Sequence, residues 1–430
     1  MPAPQSKEPW HRRLLSFVGP GFITGASDDD PSGIATLAQS GAQYGYGLLW
    51  TTSFAVPLMI GIQEACARIG LVTGRGIAAM IRKRYGTRAV VVVAILLAVA
   101  NTINLAADIG AMAAALRLLV PVPKAVAAAA FALGVLALEV FVGYERYAWI
   151  LKGLALSLLT YPIVAAISKV PWGTVLAATV VPHVSLDGGF VFLLTAILGT
   201  TISPYLFFWE AAEEVEEVKE IKRKRGGRWS RRQVARRMRI DNAFGMIVSN
   251  LIGWFILVVS ATVLHQQGVQ KIRTAADAAR ALEPLVSSFP HAGTIAGGIF
   301  ALGIIGLGAL AVPVLAGSAS YAFADAFGWR AGLDRNVREA PGFYAVIALA
   351  VLIGLAIDFT GLDPIGLLVW TAVINGFVAV PLVFIIGRIA ADRKLMGEHA
   401  SGWLSRAVVP LTGVLMGISA VATVIGLLHR

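Results

Sequence analysis

Three consecutive carboxylates, Asp28, Asp29 and Asp30, stand in the middle of an otherwise apolar segment and are followed directly by Pro31. Each aspartate at bilayer depth costs roughly 2.5–3.5 kcal/mol on insertion scales, which makes a functional role the default interpretation. Because proline disfavours helix in itself and in the preceding residue, we expect the chain to unwind over residues 28–33. Unwound backbone at that depth persists only where it lines a cavity or is buried in protein, and carboxylates in a cavity bind cations. The alternative is an interfacial loop between a short helix and the next span.

A second interruption of the same kind lies between Leu198 and Leu206, where two threonines are followed by Ser203 and Pro204. Proline-interrupted segments at corresponding positions of two halves are typical of inverted-repeat secondary transporters. The free carbonyls and helix C-terminal ends at such breaks are negative and coordinate a cation near the midplane of the membrane. With the carboxylates of the first break beside them, a positively charged substrate is expected.

The composition indicates a polytopic α-helical membrane protein. The chain has 430 residues, of which 57% are hydrophobic and 14% are charged, and its mean hydropathy is +0.74. Soluble domains carry roughly 45–50% apolar and about 25% charged residues. This excess of apolar residues excludes soluble enzymes, disordered proteins and nucleic-acid-binding proteins, and it is enough for about ten to twelve spans of ~20 residues. The single cysteine, Cys66, excludes an intramolecular disulfide and a cysteine-based metal site.

Apolar segments separated by charged or Pro/Gly-rich stretches predict eleven membrane spans. Their expected limits are 14–42, 47–71, 88–118, 123–142, 146–167, 188–214, 240–265, 291–321, 341–357, 364–387 and 407–428. The first ten are expected to form two inverted five-helix repeats, 14–167 and 188–387, within one transporter domain, with an extra helix over 407–428. No cleavage site follows the basic N-terminal segment, so the first helix is expected to stay uncleaved.

Lysine and arginine residues gather in loops that share one side of the membrane if there are eleven spans. The largest group contains eleven of them between Lys219 and Arg239, and the whole chain carries a net charge of +11. Because basic loops are retained in the cytoplasm, this side is expected to be the inner side of the plasma membrane. The N-terminus is then cytoplasmic and the C-terminus lies outside.

The loop over residues 215–239 is first acidic and then strongly basic. The simplest interpretation is a solvated cytoplasmic loop that touches anionic lipid headgroups. Nucleic-acid binding and regulatory docking are the alternatives. No nucleic-acid partner is expected, and the pattern leaves the oligomeric state open.

Several further motifs accompany the first break. They are Asp30-Pro31-Ser32-Gly33-Ile34-Ala35-Thr36, Gly41-Ala42-Gln43-Tyr44-Gly45-Tyr46, Leu48-Leu49-Trp50, Gln63-Glu64, Arg68 to Gly74, Arg239-Ile240-Asp241 with Asn250, and Asp392 to Gly397. Across essentially the whole chain they resemble the Nramp family of divalent-metal transporters. The resemblance implies an all-α, LeuT-like fold with two inverted five-helix repeats and one extra helix, in which helices 1 and 6 are unwound. It also implies a divalent cation as transported substrate, with no cofactor and no covalent chemistry.

The resemblance further implies a set of metal ligands. The family's span-one motif is Asp-Pro-Gly-Asn, with both outer residues binding metal; here Asp30 matches the acid, whereas Gly33 replaces the Asn and removes an oxygen ligand. The span-six motif is Met-Pro-His, where this chain has Ser203-Pro204-Tyr205, and Thr200 matches a carbonyl ligand three residues earlier. Because hydroxyl, carboxylate and water suit hard ions, loss of the methionine weakens selection of Mn²⁺ or Fe²⁺ over Mg²⁺ and Ca²⁺.

Other residues near the two breaks are further candidates for the metal site. One of Asp28 and Asp29 is expected to face the permeation path, and the other to pair with arginine or backbone amides. Ser203 is expected to bind the ion directly or through water. The alternative is that its hydroxyl bonds to its own helix, which is frequent in membrane helices.

The expected proton route also departs from the family. Span three of the family carries an Asp and a Glu, where this chain has Asn104 and Ala107, with Asp108 adjacent but on a different helical face. Glu210 stands in place of the family's second span-six histidine. Asn104, Asp108, Tyr205 and Glu210 are therefore candidates for the permeation path or a proton relay. These losses resemble the Nramp-related magnesium transporters, which lack that acidic relay.

Four glutamates, Glu210, Glu213, Glu214 and Glu217, have the spacing of one helical face in the second half of span six. They are expected either to line an inner vestibule that attracts cations or to pair with the basic loop as the helix leaves the membrane.

Four functional hypotheses remain at this point. The first is alternating-access transport of a hard divalent cation, Mg²⁺ or Mn²⁺, that keeps part of its water shell. The second is proton-coupled uptake of Mn²⁺ or Fe²⁺ with a relay through Asp28, Asp29 or Glu210. The third is transport of a small organic cation or amino acid, whose ammonium group the acids bind. The fourth is a metal sensor that has kept the fold.

Overall fold

The structure is a computed structural model that describes residues 24–25, 28–141, 156–225, 231–288, 290–333 and 335–429, with 220–225 and 231–232 described by their backbone only. The helices of eight or more residues in this part of the chain are α1 (Pro31–Tyr44), α2 (Trp50–Thr73), α3 (Ile77–Leu116), α4 (Lys124–Phe141), α5 (Thr160–Ile167), α6 (Trp172–Val180), α7 (Gly188–Thr201), α8 (Pro204–Arg225), α9 (Arg231–Ser260), α10 (Ala292–Phe327), α11 (Pro341–Asp358), α12 (Pro364–Ala391) and α13 (Trp403–Leu428). The helix α9 continues as a π-helical turn over Ala261–His265.

The described residues contain nine helical segments long and apolar enough to cross a membrane, with α7 and α8 together counting as one. They correspond to the predicted spans two to four and six to eleven. Span five is represented by the apolar helical stretch Leu156–Ile167, and its predicted beginning, 146–155, lies outside the described residues. Span one is represented by residues 24–25 and by the chain from Asp28 into α1, while 14–23 lies outside the described residues.

Long helices pack against each other along small and polar side chains. Asn101 of α3 donates hydrogen bonds of 2.8 Å each to the carbonyl of Leu315 and the hydroxyl of Ser318 on α10. Between α7 and α12 the approach is closer still, since a Cβ atom at Gly199 would lie only 2.0 Å from the carbonyl oxygen of Ala372. Glycine is therefore required at this crossing, which fixes the end of α7 against α12.

The helix α13 lies at the edge of the bundle, where it packs against α12, α7 and α2. One of its faces exposes large apolar side chains, among them Leu411, Ile418 and Val421. An exposed apolar face of this length is stable only in contact with lipid, which agrees with the membrane assignment.

Both expected interruptions are present, and the first is shorter than the sequence predicts. α7 ends at Thr201 and α8 begins at Pro204, while α1 begins at Pro31 after non-helical Asp29 and Asp30. The expectation that the chain unwinds over all of 28–33 is wrong for its second half, because residues 31–33 form the first turn of α1. The physical reason is that proline at the first position of a helix loses no hydrogen bond and has the backbone angle that a helix needs.

Candidate functional site

The first break ends at Asp30, the residue directly before α1. Its backbone is extended, with φ −66° and ψ 169°, and its Oδ1 atom caps α1 by accepting the backbone N–H of Gly33 at 2.8 Å. The same oxygen accepts the hydroxyl of Ser32 at 2.6 Å. Both contacts are local, so the sequence Asp-Pro-Ser-Gly itself holds this carboxylate at the start of the helix.

The second carboxylate oxygen of Asp30 faces two other helices. It accepts Nδ2 of Asn104 on α3 at 3.0 Å and the hydroxyl of Tyr205 on α8 at 3.4 Å. The structure thus brings together three residues that the sequence analysis named separately. Asp30 is almost completely buried, with 1% of its surface exposed.

The two breaks meet at Gly33 and Thr200. The hydroxyls of Ser32 and Thr200 lie 3.3 Å apart, and a Cβ atom at Gly33 would lie 3.3 Å from the Thr200 hydroxyl oxygen. It would also lie 3.3 Å from the backbone carbonyl oxygen of Asp28. Because Gly33 has no side chain, these oxygens face an open space.

That space is a small cavity of about 20 Å³, room for one water-sized occupant. Its walls come from both breaks, α2 and α9, and consist of Asp28, Asp29, Gly33, Leu37, Thr52, Thr200, Thr201, Ser249, Asn250 and Gly253. Among the described residues, the lining contains two carboxylates, hydroxyls and an amide but no basic side chain. Walls of this kind favour a positively charged ion as the occupant.

Asp28 and Asp29 share one hydrogen-bond donor. The hydroxyl of Ser249 on α9 reaches Oδ2 of Asp28 at 2.9 Å and Oδ1 of Asp29 at 3.1 Å. The other carboxylate oxygen of Asp28 is buried and has no hydrogen-bond partner within the described residues. Neither aspartate forms an ion pair with an arginine among the described residues. The expected division of roles between them stays a prediction.

Ser249 was missed by the sequence analysis. A single serine in an apolar span has no spacing that separates it from a serine bonded to its own helix. Asn250, its neighbour, appears among the motifs above but was not named as a site residue, and it also lines the cavity.

The hydroxyl of Ser203 lies within its own chain segment. It donates to the carbonyl oxygens of Gly199 at 2.9 Å and Thr200 at 2.7 Å, which is the helix-bonded alternative stated above. The carbonyl of Thr200, expected to bind metal, therefore already accepts one hydrogen bond. The Ser203 hydroxyl oxygen and the Thr200 carbonyl oxygen each keep a lone pair that can still bind an ion.

Glu210 lies away from this cavity, on the other side of the first break. It is fully buried, accepts the hydroxyl of Thr24, and accepts Nδ2 of Asn242 on α9 at 3.2 Å. Glu217, further along the predicted acidic face, pairs with Arg237 at 3.9 Å. The acidic face is therefore divided between a buried contact with the first span and an ion pair with the beginning of α9.

Asp108 lies one turn beyond Asn104 on α3 and is fully buried. Neither of its carboxylate oxygens has a hydrogen-bond partner within the described residues, and it does not line the cavity. The structure therefore places Asp108 near the site without joining it to Asp30 by a hydrogen bond.

Nowhere in the described ranges do three or more His, Cys, Asp or Glu side chains form a group that could hold a metal. Any ion at the breaks would therefore be bound by carboxylates together with hydroxyls, backbone carbonyls and water. This is the donor set of hard cations.

Two broken helices that meet around buried carboxylates, inside a bundle of membrane-length helices, define a membrane transporter of the LeuT-like class. The same architecture occurs in MhsT in complex with L-phenylalanine, with a TM-score of 0.60 at 15% identity over 93% of this chain and 98% of that one. A manganese transporter of Eremococcus coleocola is more similar, with a TM-score of 0.73 at 18% identity over 100% of this chain and 94% of that one.

Sequence comparison identifies the family. The profile described as "Nramp: Natural resistance-associated macrophage protein-like" matches residues 21–426, so the chain belongs to the Nramp family. One relative, the divalent metal cation transporter MntH of Ralstonia nicotianae, is 29% identical over 410 residues, which are 93% of this chain and 88% of that protein. The predicted family and the predicted LeuT-like, all-helical fold are both confirmed. The limits of the two repeats and the site residues stay predictions.

Proposed function

We propose that this protein is a secondary transporter that moves divalent metal cations across the membrane by alternating access. The observation that carries the proposal is the cavity between the two breaks, which is lined by Asp28 and Asp29 and by no basic side chain of the described residues. Asp30 does not line it, but its Oδ1 atom would lie 3.7 Å from a Cβ atom at Gly33 in the cavity wall. These three buried carboxylates form no ion pair with a basic side chain of the described residues, so a positively charged ligand would stabilise their ionised form. Relatives of similar length carry the name divalent metal cation transporter, which supports the same substrate class.

The ion that fits the donors best is hard. The wall oxygens come from carboxylates, hydroxyls and a carbonyl, and Ser203 stands where the family has a thioether. We therefore propose Mg²⁺ or Mn²⁺ as substrate ahead of Fe²⁺. Because the site offers few protein ligands, we propose that the ion keeps part of its hydration shell. The cavity of about 20 Å³ would have to widen to admit an ion with such a shell.

Proton movement through span three is not part of this proposal. Asn104 stands where the family has an acid, and it donates a hydrogen bond to Asp30. Its amide neither takes up nor releases a proton near neutral pH. Ala107 occupies the second acidic position. We propose that metal transport proceeds without a proton relay along α3.

The distribution of basic residues also suggests an orientation of the chain in the membrane. We propose that the N-terminus lies in the cytoplasm and the C-terminus outside the plasma membrane, because the basic residues gather on one side. The sequence predicts a loop over the segment 215–239, but the described residues of this segment belong to the end of α8 and the beginning of α9. We propose that this segment lies at the anionic inner surface.

Uptake into proteoliposomes tests the proposal. The purified protein is reconstituted with an internal metal-sensitive dye, Mn²⁺ and Mg²⁺ are offered separately, and internal pH is followed in parallel. We expect entry of both ions without acidification. Acidification with Mn²⁺ would show coupled transport, and flux of an amine with no metal flux would show an organic-cation carrier; the latter result would overturn the proposal.

Asp30 provides the matched variants. Asp30→Asn keeps the helix cap, because asparagine is an equally good cap, but it removes the charge. Asp363 caps α12 in the same way by accepting the N–H groups of Ile365 and Gly366. We expect Asp30→Asn and Asp30→Ala to abolish uptake while the protein stays folded, and Asp363→Asn to transport normally.

A further inference from the structure

A second and much larger cavity, of about 620 Å³, lies between α3, α8 and α10. It is formed by the turn between α2 and α3, the middle of α8 and the end of α10. Its walls consist of Gly74, Arg75, Gly76, Ala79, Arg82, Lys83, Ala212, Val215, Glu216, Lys219, Tyr321, Ala324, Asp325, Gly328, Trp329 and Ala331. None of these residues belongs to the cavity at the two breaks.

Four basic side chains, Arg75, Arg82, Lys83 and Lys219, line this cavity, against two acidic ones. All four are exposed, and none forms an ion pair with a carboxylate of the described residues. Basic groups from two separate elements, α8 and the α2–α3 segment, therefore face one space without partners within ion-pair distance.

The two acids of the cavity each have one oxygen engaged by the protein. Asp325 accepts the backbone N–H of Ala79 at 3.2 Å in the first turn of α3, and Glu216 accepts the hydroxyl of Tyr321 at 2.6 Å. Arg75 and Lys219 also lie near enough to Asp325 to attract its carboxylate electrostatically. The balance of four cations and two anions leaves a net charge of +2 facing the space.

The size and charge of the cavity select its ligand. A net positive charge disfavours a metal cation as occupant and favours an anion. A volume of about 620 Å³ is that of a headgroup-sized molecule and far exceeds one inorganic ion. Phosphate oxygens are the acceptors that arginine and lysine bind best.

The surroundings of the cavity are those of a membrane surface. Phe327 and Trp329 at the end of α10 expose 48% and 45% of their surfaces, and Tyr85 on α3 exposes 38%. Exposed aromatic side chains of this kind lie at the level of lipid headgroups. Basic pockets between helices on the cytoplasmic side bind the headgroups of anionic lipids.

We propose that this cavity binds a phosphate-bearing anion, presented as the headgroup of an anionic phospholipid of the inner leaflet. Arg82 and Lys83 hold the phosphate from α3, Lys219 approaches it from α8, and Trp329 packs at the rim. The site is separate from metal transport, so its failure would leave the proposed function intact.

Native mass spectrometry of the detergent-purified protein tests this proposal. The protein is titrated with phosphatidylglycerol and with phosphatidylcholine of the same acyl chains. The double variant Arg82→Ala/Lys83→Ala is compared with Arg338→Ala/Lys394→Ala, which removes two basic residues from the same side of the membrane but outside the cavity. Lys219→Gln probes the same cavity from α8.

We expect preferential binding of phosphatidylglycerol, weakened about tenfold or more in the cavity double variant and unchanged in the control. Lys219→Gln should weaken it in the same direction. Glycerol 3-phosphate, titrated alone, distinguishes a soluble phosphate ligand from a lipid: binding of it without lipid preference assigns the site to a soluble anion and overturns the lipid assignment. Equal losses in both double variants, or no loss in either, would overturn the site itself.

Discussion

Asn104 donates a hydrogen bond of 3.0 Å from its amide nitrogen to Oδ2 of Asp30, and this contact joins α3 to the first break. The other oxygen of Asp30 is used within its own turn, by Ser32 and Gly33. The direction of Oδ2 is therefore set by this amide together with the more distant hydroxyl of Tyr205, at 3.4 Å. In a family member with an acid at this position the same contact would require a shared proton, whereas here it requires none.

Asn104→Leu should lower the apparent affinity for the transported metal by about 10- to 100-fold, because a hydrogen bond to a charged group is worth ~1.5–3 kcal/mol. The measurement is the concentration dependence of uptake into proteoliposomes. Asn101→Leu is the matched control, since Asn101 bonds to α10 and not to Asp30. It should lower thermal stability without changing the affinity, and equal affinity losses in the two variants would contradict an orienting role.

Gly33→Asn should shift the preference from Mg²⁺ toward Mn²⁺ by about tenfold. The added side chain begins 3.3 Å from the Thr200 hydroxyl, so it reduces the space available for a hydrated ion and supplies an oxygen ligand in place of water. The ratio of Mg²⁺ to Mn²⁺ uptake rates measures the effect.

Gly33→Ala separates the two causes in that prediction. Alanine fills the same space without adding a ligand, so uptake of both ions should fall together. If the Gly33→Asn variant has the same ratio of Mg²⁺ to Mn²⁺ uptake rates as the original protein, Gly33 does not face the ion.

Ser203→Met should also move preference toward Mn²⁺, since a thioether favours softer transition ions. The substitution removes the hydroxyl that donates hydrogen bonds to the carbonyl oxygens of Gly199 and Thr200. The Thr200 carbonyl is thereby freed as well. Ser203→Ala frees that carbonyl without adding sulfur and is the control. An unchanged ion profile in the methionine variant would count against Ser203 facing the ion.

The fold was accessible from the sequence because its signals are long and repeated. Eleven apolar segments are visible by composition alone, and the two proline-containing interruptions mark the spans that break. Asp30 could be singled out as a candidate for the same reason, since a carboxylate before a proline in the membrane has few structural uses. The extent of the break could not be found, because Pro31 both ends one helix and starts the next, and only the backbone shows which effect prevails.

Contacts between distant segments could not be found in this way. The bond from Thr24 to Glu210 joins residues far apart in the chain, and neither has a motif that names the other. The shared donor Ser249 is a single hydroxyl in an apolar helix. Such residues become recognisable only once the helices are packed, because their role depends on what faces them and not on their spacing.

Ser249→Ala should destabilise the metal-free protein and increase the stabilisation that added Mg²⁺ or Mn²⁺ provides. Without this hydroxyl, Asp28 and Asp29 lose their common donor and face each other as like charges in a buried site, a cost of about 1–3 kcal/mol. A bound divalent cation offsets this repulsion, so the metal-dependent rise in melting temperature should be larger than in the unchanged protein. Thermal unfolding in detergent, with and without each metal, measures both quantities. Ser260→Ala on the same chain segment is the control, because the buried Ser260 hydroxyl has no hydrogen-bond partner within the described residues. If the two variants behave alike, or if metal fails to restore the Ser249→Ala protein, the aspartate pair does not take part in holding the ion.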